Sequence, residues 1–289
     1  SLKDIKMKII ETAKEMQMTE ERLRLEGKTI GFVPTMGYLH EGHLALVKKA
    51  RELCDIVVVS IFVNPTQFGP NEDIDKYPRD FERDKRLLDQ EKTDITFFPD
   101  KKEMYPDQYF TYVQVRELED HLCGLSRKGH FVGVTTIVTK LFNIVKPHYA
   151  VFGQKDYQQL IIIQRMVRDL NMDIEIVSFP TVREDGGLAM SSRNTYLSPE
   201  EREKGLLIYA SIKRVEELFK GGERNTNSLR KEAEKILSSR DGIDIEYINI
   251  SDAETLKELD YIQDKKAVLA IACRIGKTRL IDNTILTEA

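Results

Sequence analysis

Two histidines around a glycine form the segment of this chain best suited to chemistry. His40 and His43 lie on either side of Gly42, between an apolar run at residues 28–33 that predicts a strand and a helical pattern at residues 43–53. In an open parallel sheet, ligands bind at the carboxyl ends of strands, where helix N-termini favour phosphate groups. The pattern therefore indicates a nucleotide site. Zinc is the alternative ligand, but no neighbouring cysteine or second histidine pair completes a zinc site.

A second polar segment follows the continuous β-branched run at residues 56–63, which predicts a strand buried on both faces. Asn64 and Gln67 offer uncharged donors and acceptors there, and these suit hydroxyl, carboxylate or amide groups of a ligand. A proline-containing turn with solvated amides is the alternative interpretation.

A third segment follows the strand predicted at residues 149–152. Gly153 permits a ligand to approach the backbone closely, Lys155 can neutralise phosphate charge, and Asp156 can accept hydrogen bonds from ribose hydroxyls. Gln159 lies three residues beyond Asp156, so the two side chains can share a helix face. A solvated helix start is the alternative.

A fourth segment, Met190-Ser191-Ser192-Arg193, combines two hydroxyls and a guanidinium into a compact clamp for anions. A polar linker is the alternative interpretation. The basic loop at residues 121–131, which contains Arg127 and His130, is expected to be solvated.

The elements that must position these segments alternate between strand and helix periods up to about residue 180. This alternation predicts an α/β fold, a Rossmann-like doubly wound parallel sheet over residues 1–180. Residues 181–289 read as a smaller α+β domain. Its first helix starts at Ser198 as N-cap, with Glu201 three residues later, and its last two strands form a hairpin across Gly276.

Composition narrows the function classes. The chain has 289 residues, with 44 Lys and Arg against 48 Asp and Glu, so its net charge of −4 gives no global basic footprint for nucleic acid. The longest apolar run, residues 56–63, is far shorter than the ~20 residues of a spanning helix, so no membrane segment is expected. Three scattered cysteines, Cys54, Cys123 and Cys273, favour buried thiols in a reducing cytoplasm. Residues 1–8 contain no apolar signal-peptide core, and the two commonest phosphate-loop signatures are absent.

Together the four segments carry a resemblance to a known family. The His40-x-Gly42-His43 and Met190-Ser191-Ser192-Arg193 segments resemble the HIGH and KMSKS signatures of the nucleotidyltransferase superfamily. More closely, residues 33–37, 62–68, 152–159 and 190–193 resemble, in order and spacing, the motifs of the pantothenate synthetase family. Tyr38 is a mild departure, because alanine is common at this position in the family.

The resemblance implies an ATP-dependent condensation of (R)-pantoate with β-alanine to pantothenate, a coenzyme A precursor. The pantoate carboxylate would attack the α-phosphorus of ATP to give pantoyl adenylate and pyrophosphate. The amine of β-alanine would then attack the acyl carbon and release AMP. Mg²⁺ would accompany ATP, the partners would be small molecules only, and family members are commonly homodimers.

The resemblance also implies three sets of site residues. The catalytic set is His43, His40, Lys155, Ser191, Ser192 and Arg193. The ATP-binding set is Met36, Gly37, Tyr38, Leu39, His40, Glu41, Gly42, His43, Gly153, Gln154, Lys155, Asp156, Val182, Met190, Ser191, Ser192 and Arg193. The set for pantoate and β-alanine is Gln67, Gln159, Asn64, Pro34 and Thr35.

Some of these residues match a specific role in the family. Gly153 and Asp156 match ribose contacts, and Val182 matches a backbone contact to adenine. Gln67 and Gln159 match pantoate ligands, with Gln67 also near β-alanine.

His43 matches a proton donor, although electrostatic support of the pentavalent phosphorus is an equally good interpretation. Asp84 is a weak candidate ligand for Mg²⁺, and a solvated helix aspartate is the alternative. The mixed anhydride of pantoate and AMP needs protection from water, so residues 181–289 are expected to act as a lid.

Three other functions are compared with this one. A fragment of an aminoacyl-tRNA synthetase would need an acceptor-stem domain and a large basic surface, and neither is visible. A nucleotidyltransferase that stops at AMP or CMP transfer would leave the amides of Asn64 and Gln67 unexplained. A nonenzymatic nucleotide sensor would be expected to have a decayed histidine or Ser-Ser-Arg segment, and both are intact.

Overall fold

The computed structural model describes residues 6–72 and 74–288, which form two compact units. The first unit extends to Glu119 and also includes Ser126–Gln154 and Gln159–Pro180. The second unit comprises Asp120–Leu125, Lys155–Gln158 and the chain from Thr181 onward. Residues 1–5, part of the segment in which no signal peptide is expected, lie outside the described residues.

Strands and helices alternate through the first unit and continue into the second. In chain order they are β1 (Lys8–Ile10), α1 (Ala13–Leu25), β2 (Ile30–Thr35), α2 (Glu41–Leu53), β3 (Ile56–Ile61), α3 (Phe81–Gln90), β4 (Ile95–Phe97), α4 (Lys101–Met104), α5 (Cys123–Ser126), α6 (His130–Val145), β5 (Tyr149–Gly153), α7 (Tyr157–Asp169), β6 (Glu175–Phe179), α8 (Pro199–Lys220), α9 (Thr226–Leu237), β7 (Ile243–Asp252), β8 (Ala267–Ile275) and β9 (Thr278–Leu286). Short 3-10 turns lie at Pro65–Gln67, Ile74–Lys76, Leu118–Asp120, Gln154–Asp156 and Ser192–Tyr196.

Six parallel strands form the sheet of the first unit, in the order β1-β4-β3-β2-β5-β6. The continuous apolar runs of β2 and β3 are buried along almost their whole length, as both faces of a covered parallel sheet require. The predicted α/β fold is therefore confirmed.

The strand order of this sheet reverses at β2. The chain passes from β2 outward to β3 and β4 on one side and returns to place β5 on the other side of β2. Ligands of doubly wound sheets bind at such a reversal, in the crevice beyond the carboxyl ends of the strands. The loops that follow β2, β3 and β5 are the three in which sequence analysis places the histidine, amide and lysine segments.

The second unit contains a three-stranded antiparallel sheet, β7-β8-β9, with α8 and α9 packed on it. Its core includes Ile212 and Val215 of α8, Leu229 of α9 and Ile271 of β8, all fully buried. Helix α8 begins as predicted: Ser198 Oγ accepts from the N–H of Glu201, whose carboxylate accepts from the N–H of Ser198. The predicted hairpin joins β8 and β9, and the smaller α+β domain is confirmed.

The burial of side chains confirms one expectation and explains why one helix was not predicted. Cys54, Cys123 and Cys273 are buried, as expected. Strand β1 and helix α1 were not predicted. Strand β1 has only three residues. Helix α1 buries only Met16, Thr19 and Glu20, so its apolar period is weak. Of the helices in the described residues, none has the length and apolarity that crossing a membrane requires.

Candidate active site

The turn between β2 and α2 places His40 and His43 together at the N-terminus of α2. His40 is the N-cap residue, and its Nδ1 accepts from the N–H of Gly42 at 3.0 Å. The Nδ1 of His43 accepts from the N–H of His40 at 3.2 Å, and the two ring centroids are 4.0 Å apart. Each imidazole therefore satisfies one of the N–H groups that a helix N-terminus leaves without a partner.

These bonds determine the tautomer of each ring. A nitrogen that accepts a hydrogen bond carries no hydrogen, so each neutral ring must carry its hydrogen on Nε2. His40 and His43 thus present Nε2–H donors at a helix N-terminus, where the helix dipole already favours negative charge. Two such donors are suited to bind and stabilise an anion.

Asp84 of α3 holds the backbone of the same turn. Its Oδ2 accepts from the N–H of Tyr38 and its Oδ1 from the N–H of Leu39, both at 2.8 Å. The neighbouring Arg83 donates to the carbonyl of Leu39 at 2.8 Å. Asp84 is 1% exposed, and burial raises the pKa of its carboxyl group above the usual value. The interpretation of Asp84 as a solvated helix aspartate is therefore wrong.

Thr35 links the turn to the neighbouring strand. Its hydroxyl donates to the carbonyl of Ser60 on β3 at 2.8 Å and accepts from the N–H of Gly37 at 3.2 Å. Gly37 has a φ of 79°, which favours glycine. The Thr35 side chain thus stabilises the path of the loop, while Pro34 beside it is half-buried.

The segment after β3 forms a compact turn around a buried amide. Asn64 is 1% exposed, and its Nδ2 donates to Gln67 Oε1 at 2.8 Å and to the carbonyl of Gly133 at 3.1 Å. Its Oδ1 accepts from the hydroxyl of Thr66 at 2.8 Å. Asn64 is therefore not a solvated turn residue. It fixes the amide of Gln67 through Oε1, so that the Nε2–H donors are what this side chain can offer to a ligand.

Helix α6 and the residues before it support the Gln67 turn. Sequence analysis did not predict this contact. His130 Nδ1 lies 2.9 Å from the carbonyl of Gln67, and Arg127 binds both carboxylate oxygens of Glu72, at 2.8 and 2.7 Å. The expectation of a fully solvated basic loop is wrong for Arg127 and His130, because both are partly buried in these contacts. The sequence around Arg127 and His130 gives no indication of their partners Glu72 and Gln67, which lie more than 50 residues away.

Gly133 of α6 lets the turn approach the helix. A Cβ at this position would lie 2.4 Å from the carbonyl oxygen of Thr66 and 2.9 Å from the nitrogen of Gln67. The backbone of the Pro65–Gln67 turn thus occupies the space that any side chain at residue 133 would need.

The segment after β5 begins in the first unit. Gly153 ends β5 and a Cβ there would meet nothing within 4 Å. Asp156 is exposed in the 3-10 turn Gln154–Asp156, and Gln159 is half-buried in helix α7, which begins directly after that turn at Tyr157. The buried amide is the neighbouring Gln158, which binds the backbone of His121 and Cys123.

The second unit contains Lys155 and the Ser-Ser-Arg segment. The N–H of Met190 donates to the carbonyl of Val182 at 2.9 Å, so residues 182–190 form a closed loop. Ser191 then caps the turn Ser192–Tyr196, since its Oγ accepts from the N–H of Arg193 at 3.2 Å. This segment is an ordered loop with its own hydrogen bonds and does not resemble a flexible linker.

Each unit thus gathers part of the predicted site. The first unit holds the histidine turn, the Asn64–Gln67 turn and Gly153 at the ends of three adjacent strands. The second unit holds Lys155 and residues 182–193. In the part of the chain that the structure describes, no group of three or more His, Cys, Asp and Glu side chains is arranged to hold a metal ion.

Comparison with known proteins agrees with this geometry. A family model described as pantoate-beta-alanine ligase matches residues 8–285. A pantothenate synthetase of Thermotoga petrophila is 59% identical over 280 residues, which are 97% of this chain and 100% of that protein.

Solved structures are similar over the same length. The crystal structure of pantothenate synthetase from Thermus thermophilus has a TM-score of 0.91 and 43% identity, and the match covers 97% of this chain and 100% of that one. That of pantoate-beta-alanine ligase from Francisella tularensis, complexed with beta-gamma ATP and β-alanine, has a TM-score of 0.78 and 36% identity over 96% of this chain and 97% of that one.

Proposed function

The chain belongs to the pantoate-beta-alanine ligase family and forms pantothenate from pantoate and β-alanine, and we propose how its residues carry this reaction. The first half-reaction joins a carboxylate oxygen of (R)-pantoate to the α-phosphorus of ATP as the bond to pyrophosphate breaks. In the second, the amine of β-alanine attacks the acyl carbon, AMP leaves and the amine loses a proton. The observation that carries the proposal is the position of the Nε2–H donors of His40 and His43 at the point where the strand order of the sheet reverses. The family match over residues 8–285 agrees with it.

Adenylation needs no nucleophile from the enzyme. It needs the carboxylate held in line with the α-phosphorus and donors aimed where negative charge develops. His40 and His43 supply such donors from a helix N-terminus, and Lys155 and Arg193 add positive charge. Ser191 and Ser192 complete the set with hydroxyl donors. Since the Nδ1 atoms of both rings accept backbone bonds, we assign His43 to electrostatic support through Nε2–H; a proton donor would have to be an imidazolium ring, whose Nδ1–H could not accept the bond from His40.

We assign the ATP contacts residue by residue from the family resemblance. We assign the phosphates to the turn from Met36 to His43, the ribose to Gly153 and Asp156, and adenine to the backbone of Val182. The full ATP set is Met36, Gly37, Tyr38, Leu39, His40, Glu41, Gly42, His43, Gly153, Gln154, Lys155, Asp156, Val182, Met190, Ser191, Ser192 and Arg193.

Pantoate is assigned to the amides of Gln67 and Gln159, with Gln67 also close to β-alanine. The bond from Asn64 to Gln67 Oε1 supports this, because it directs the Nε2–H donors of Gln67 toward a carboxylate or hydroxyl ligand. Asn64 acts by holding the side chain of Gln67, and Thr35 acts by holding the backbone of Gly37. Pro34 lies beside Thr35 at the end of β2.

Mg²⁺ is proposed as part of the ATP substrate. When bound, it neutralises phosphate charge, and it keeps most of its ligands from phosphates and water. Asp84 would be the protein's contribution, but both of its oxygens already accept backbone N–H bonds. The residues therefore fit a metal carried by the nucleotide better than a protein cage.

We further propose that the enzyme works in the cytoplasm as a homodimer and that residues 1–180 bind nucleotide and pantoate while residues 181–289 act as a lid. Phe110 is 81% exposed and Tyr112 58% exposed, both in the irregular segment after α4, and a second copy of the chain would cover such side chains. The lid follows from the chemistry, because water would hydrolyse the adenylate.

Isotope exchange tests the reaction order. Labelled pyrophosphate is expected to enter ATP when pantoate and Mg²⁺ are present and β-alanine is absent, and omission of pantoate is expected to stop the exchange. Addition of β-alanine should then yield AMP and pantothenate in equal amounts. Release of ADP and phosphate, or exchange without pantoate, would contradict the adenylate mechanism.

A further inference from the structure

Two adjacent polar residues of β9 are buried in the second unit, and the proposed reaction has not used them. Asp282 is 3% exposed and Asn283 4% exposed. Successive side chains of a strand point to opposite faces of the sheet, so the pair reaches in two directions from one piece of backbone. Buried polar side chains cost free energy unless they are hydrogen-bonded, so their partners show what they hold.

Asn283 holds the backbone of Lys155. Its Nδ2 donates to the carbonyl oxygen of Lys155 at 2.9 Å. A second anchor lies two residues further, where the hydroxyl of Tyr157 donates to the carbonyl of Ala253. Neither bond uses the ammonium group of Lys155.

Asp282 holds the loop that leads to the Ser-Ser-Arg segment. Its two carboxylate oxygens accept from Arg183, at 2.6 and 3.0 Å, in a bidentate pair. Arg183 also donates to the carbonyl of Gly187 at 3.0 Å and pairs as an isolated β-bridge with Ala189. The ion pair therefore braces both sides of the loop that is closed by Val182 and Met190.

We propose that Asp282 and Asn283 are positioning residues for adenylation, which set Lys155 and the loop of residues 182–193 in one frame. The proposal rests on the proposed function, because it takes Lys155 and Ser191–Arg193 as the groups that act on the phosphates. Strand β9 is suited to this task, because it is paired with β8 over its whole length and is a rigid support. Donors that stabilise a developing charge act only if they are held in place before the reaction.

The first test replaces Asn283 by alanine, which removes the donor to Lys155 and retains the strand. A displacement of about 1 Å in a catalytic group can cost on the order of 100-fold in rate, so single-turnover adenylation is expected to slow by roughly 10- to 100-fold. The matched control is Thr284→Ala, which removes a 2.6 Å hydrogen bond from the same strand to Glu216 of α8 and retains the side chains that bind Lys155 and Arg183. Its adenylation rate is expected to stay within twofold of the wild type.

The second test measures whether Asn283 acts through Lys155. In a Lys155→Ala background, the further change Asn283→Ala is expected to alter the adenylation rate less than twofold, because the group that it positions is gone. An equal loss in both backgrounds would show a general structural role and overturn the inference. Thermal melting of all variants separates loss of folded protein from loss of rate.

The third test concerns the ion pair. Asp282→Asn keeps the size of the side chain and one acceptor for Arg183 but removes the charge. The variant is expected to raise the KM for ATP and to slow adenylation while its circular dichroism spectrum stays that of the wild type. Unchanged kinetics for Asp282→Asn and Asn283→Ala, with Lys155→Ala strongly impaired, would refute the positioning role and leave the proposed function standing. An unimpaired Lys155→Ala variant would instead refute the proposed role of Lys155.

Discussion

Replacement of Gly133 by alanine tests whether the position of the Gln67 turn sets pantoate binding. The added Cβ would lie 2.4 Å from the Thr66 carbonyl oxygen, 2.6 Å from its carbonyl carbon and 2.9 Å from the nitrogen of Gln67. These are backbone atoms, so no flexible side chain can rotate away. Because nonbonded heavy atoms prefer separations of about 3.5 Å, the turn must move by roughly 1 Å.

Two opposing effects determine the change in stability. Alanine is about 1 kcal/mol more favourable than glycine within a helix, and overpacking costs about 1–3 kcal/mol. The free energy of unfolding is therefore expected to fall by at most about 2 kcal/mol, and the protein should remain folded. Activity is more sensitive, because a shift of about 1 Å at a substrate-binding group can cost on the order of 100-fold. The expected result is a large loss in kcat/KM for pantoate with little change in the KM for ATP.

Pyrophosphate exchange into ATP, measured against pantoate concentration at saturating ATP, reports this loss directly. Gly69→Ala is the matched control, since it adds a methyl group to the same loop where a Cβ would meet nothing within 4 Å. The control is expected to behave as the wild type. Pantoate dependence within twofold of the wild type in a folded Gly133→Ala protein would refute the reasoning.

Three further substitutions test other parts of the site and the fold. His43→Ala is expected to slow single-turnover adenylation by about 10²–10³-fold, with a loss of about 0.5–2 kcal/mol in unfolding free energy because His43 also caps α2; a rate within a few-fold of the wild type would exclude the role. Gln159→Ala is expected to weaken pantoate binding by about 1–3 kcal/mol, seen as a raised KM for pantoate, whereas a raised ATP requirement would move Gln159 to the nucleotide. Burial and Arg24 lower the pKa of His148, whose Nδ1 accepts from the N–H of Ile30 at 3.0 Å. The folded state therefore favours the neutral ring, and the stability contributed above the ordinary pKa of 6.5 is lost as pH falls through the lowered value. Melting temperatures between pH 8 and 5 should fall more steeply for the wild type than for His148→Asn, and equal slopes would contradict this origin.

Local pattern predicted the parts of the fold that depend on local chemistry. The apolar runs of β2, β3 and β5 and the capping box at Ser198 produce their elements almost as the sequence indicates. The helical spacing of apolar residues is clear only at residues 135–144, but helix α6 begins at His130. Its N-cap, Gly129, has a φ of 78° and makes no side-chain cap hydrogen bond, so the usual start signal is missing.

Strand β9 shows where local pattern fails. The local pattern indicates a strand only at residues 278–281, but β9 continues to Leu286 through Asp282 and Asn283. Two polar residues are poor evidence for a buried strand. They are stable there because Arg183 and the carbonyl of Lys155, both about a hundred residues away in sequence, supply their hydrogen bonds. Such partners are determined by tertiary structure and cannot be inferred from spacing.

The same distinction applies to the histidine turn. His40 and Gly42 mark a ligand-binding turn in the sequence, but nothing local explains how Tyr38 adopts a φ of 50°, a conformation that costs a residue with a side chain about 1–2 kcal/mol. Asp84 accounts for it, because hydrogen bonds to a charged group contribute about 1.5–3 kcal/mol each and Asp84 accepts two of them, from Tyr38 and Leu39. Burial of the carboxylate opposes this gain, as the raised pKa of Asp84 shows. Any Mg²⁺ that bound Asp84 would compete with the two bonds that Asp84 accepts from Tyr38 and Leu39, which is why a role in holding this turn is the stronger assignment for this residue.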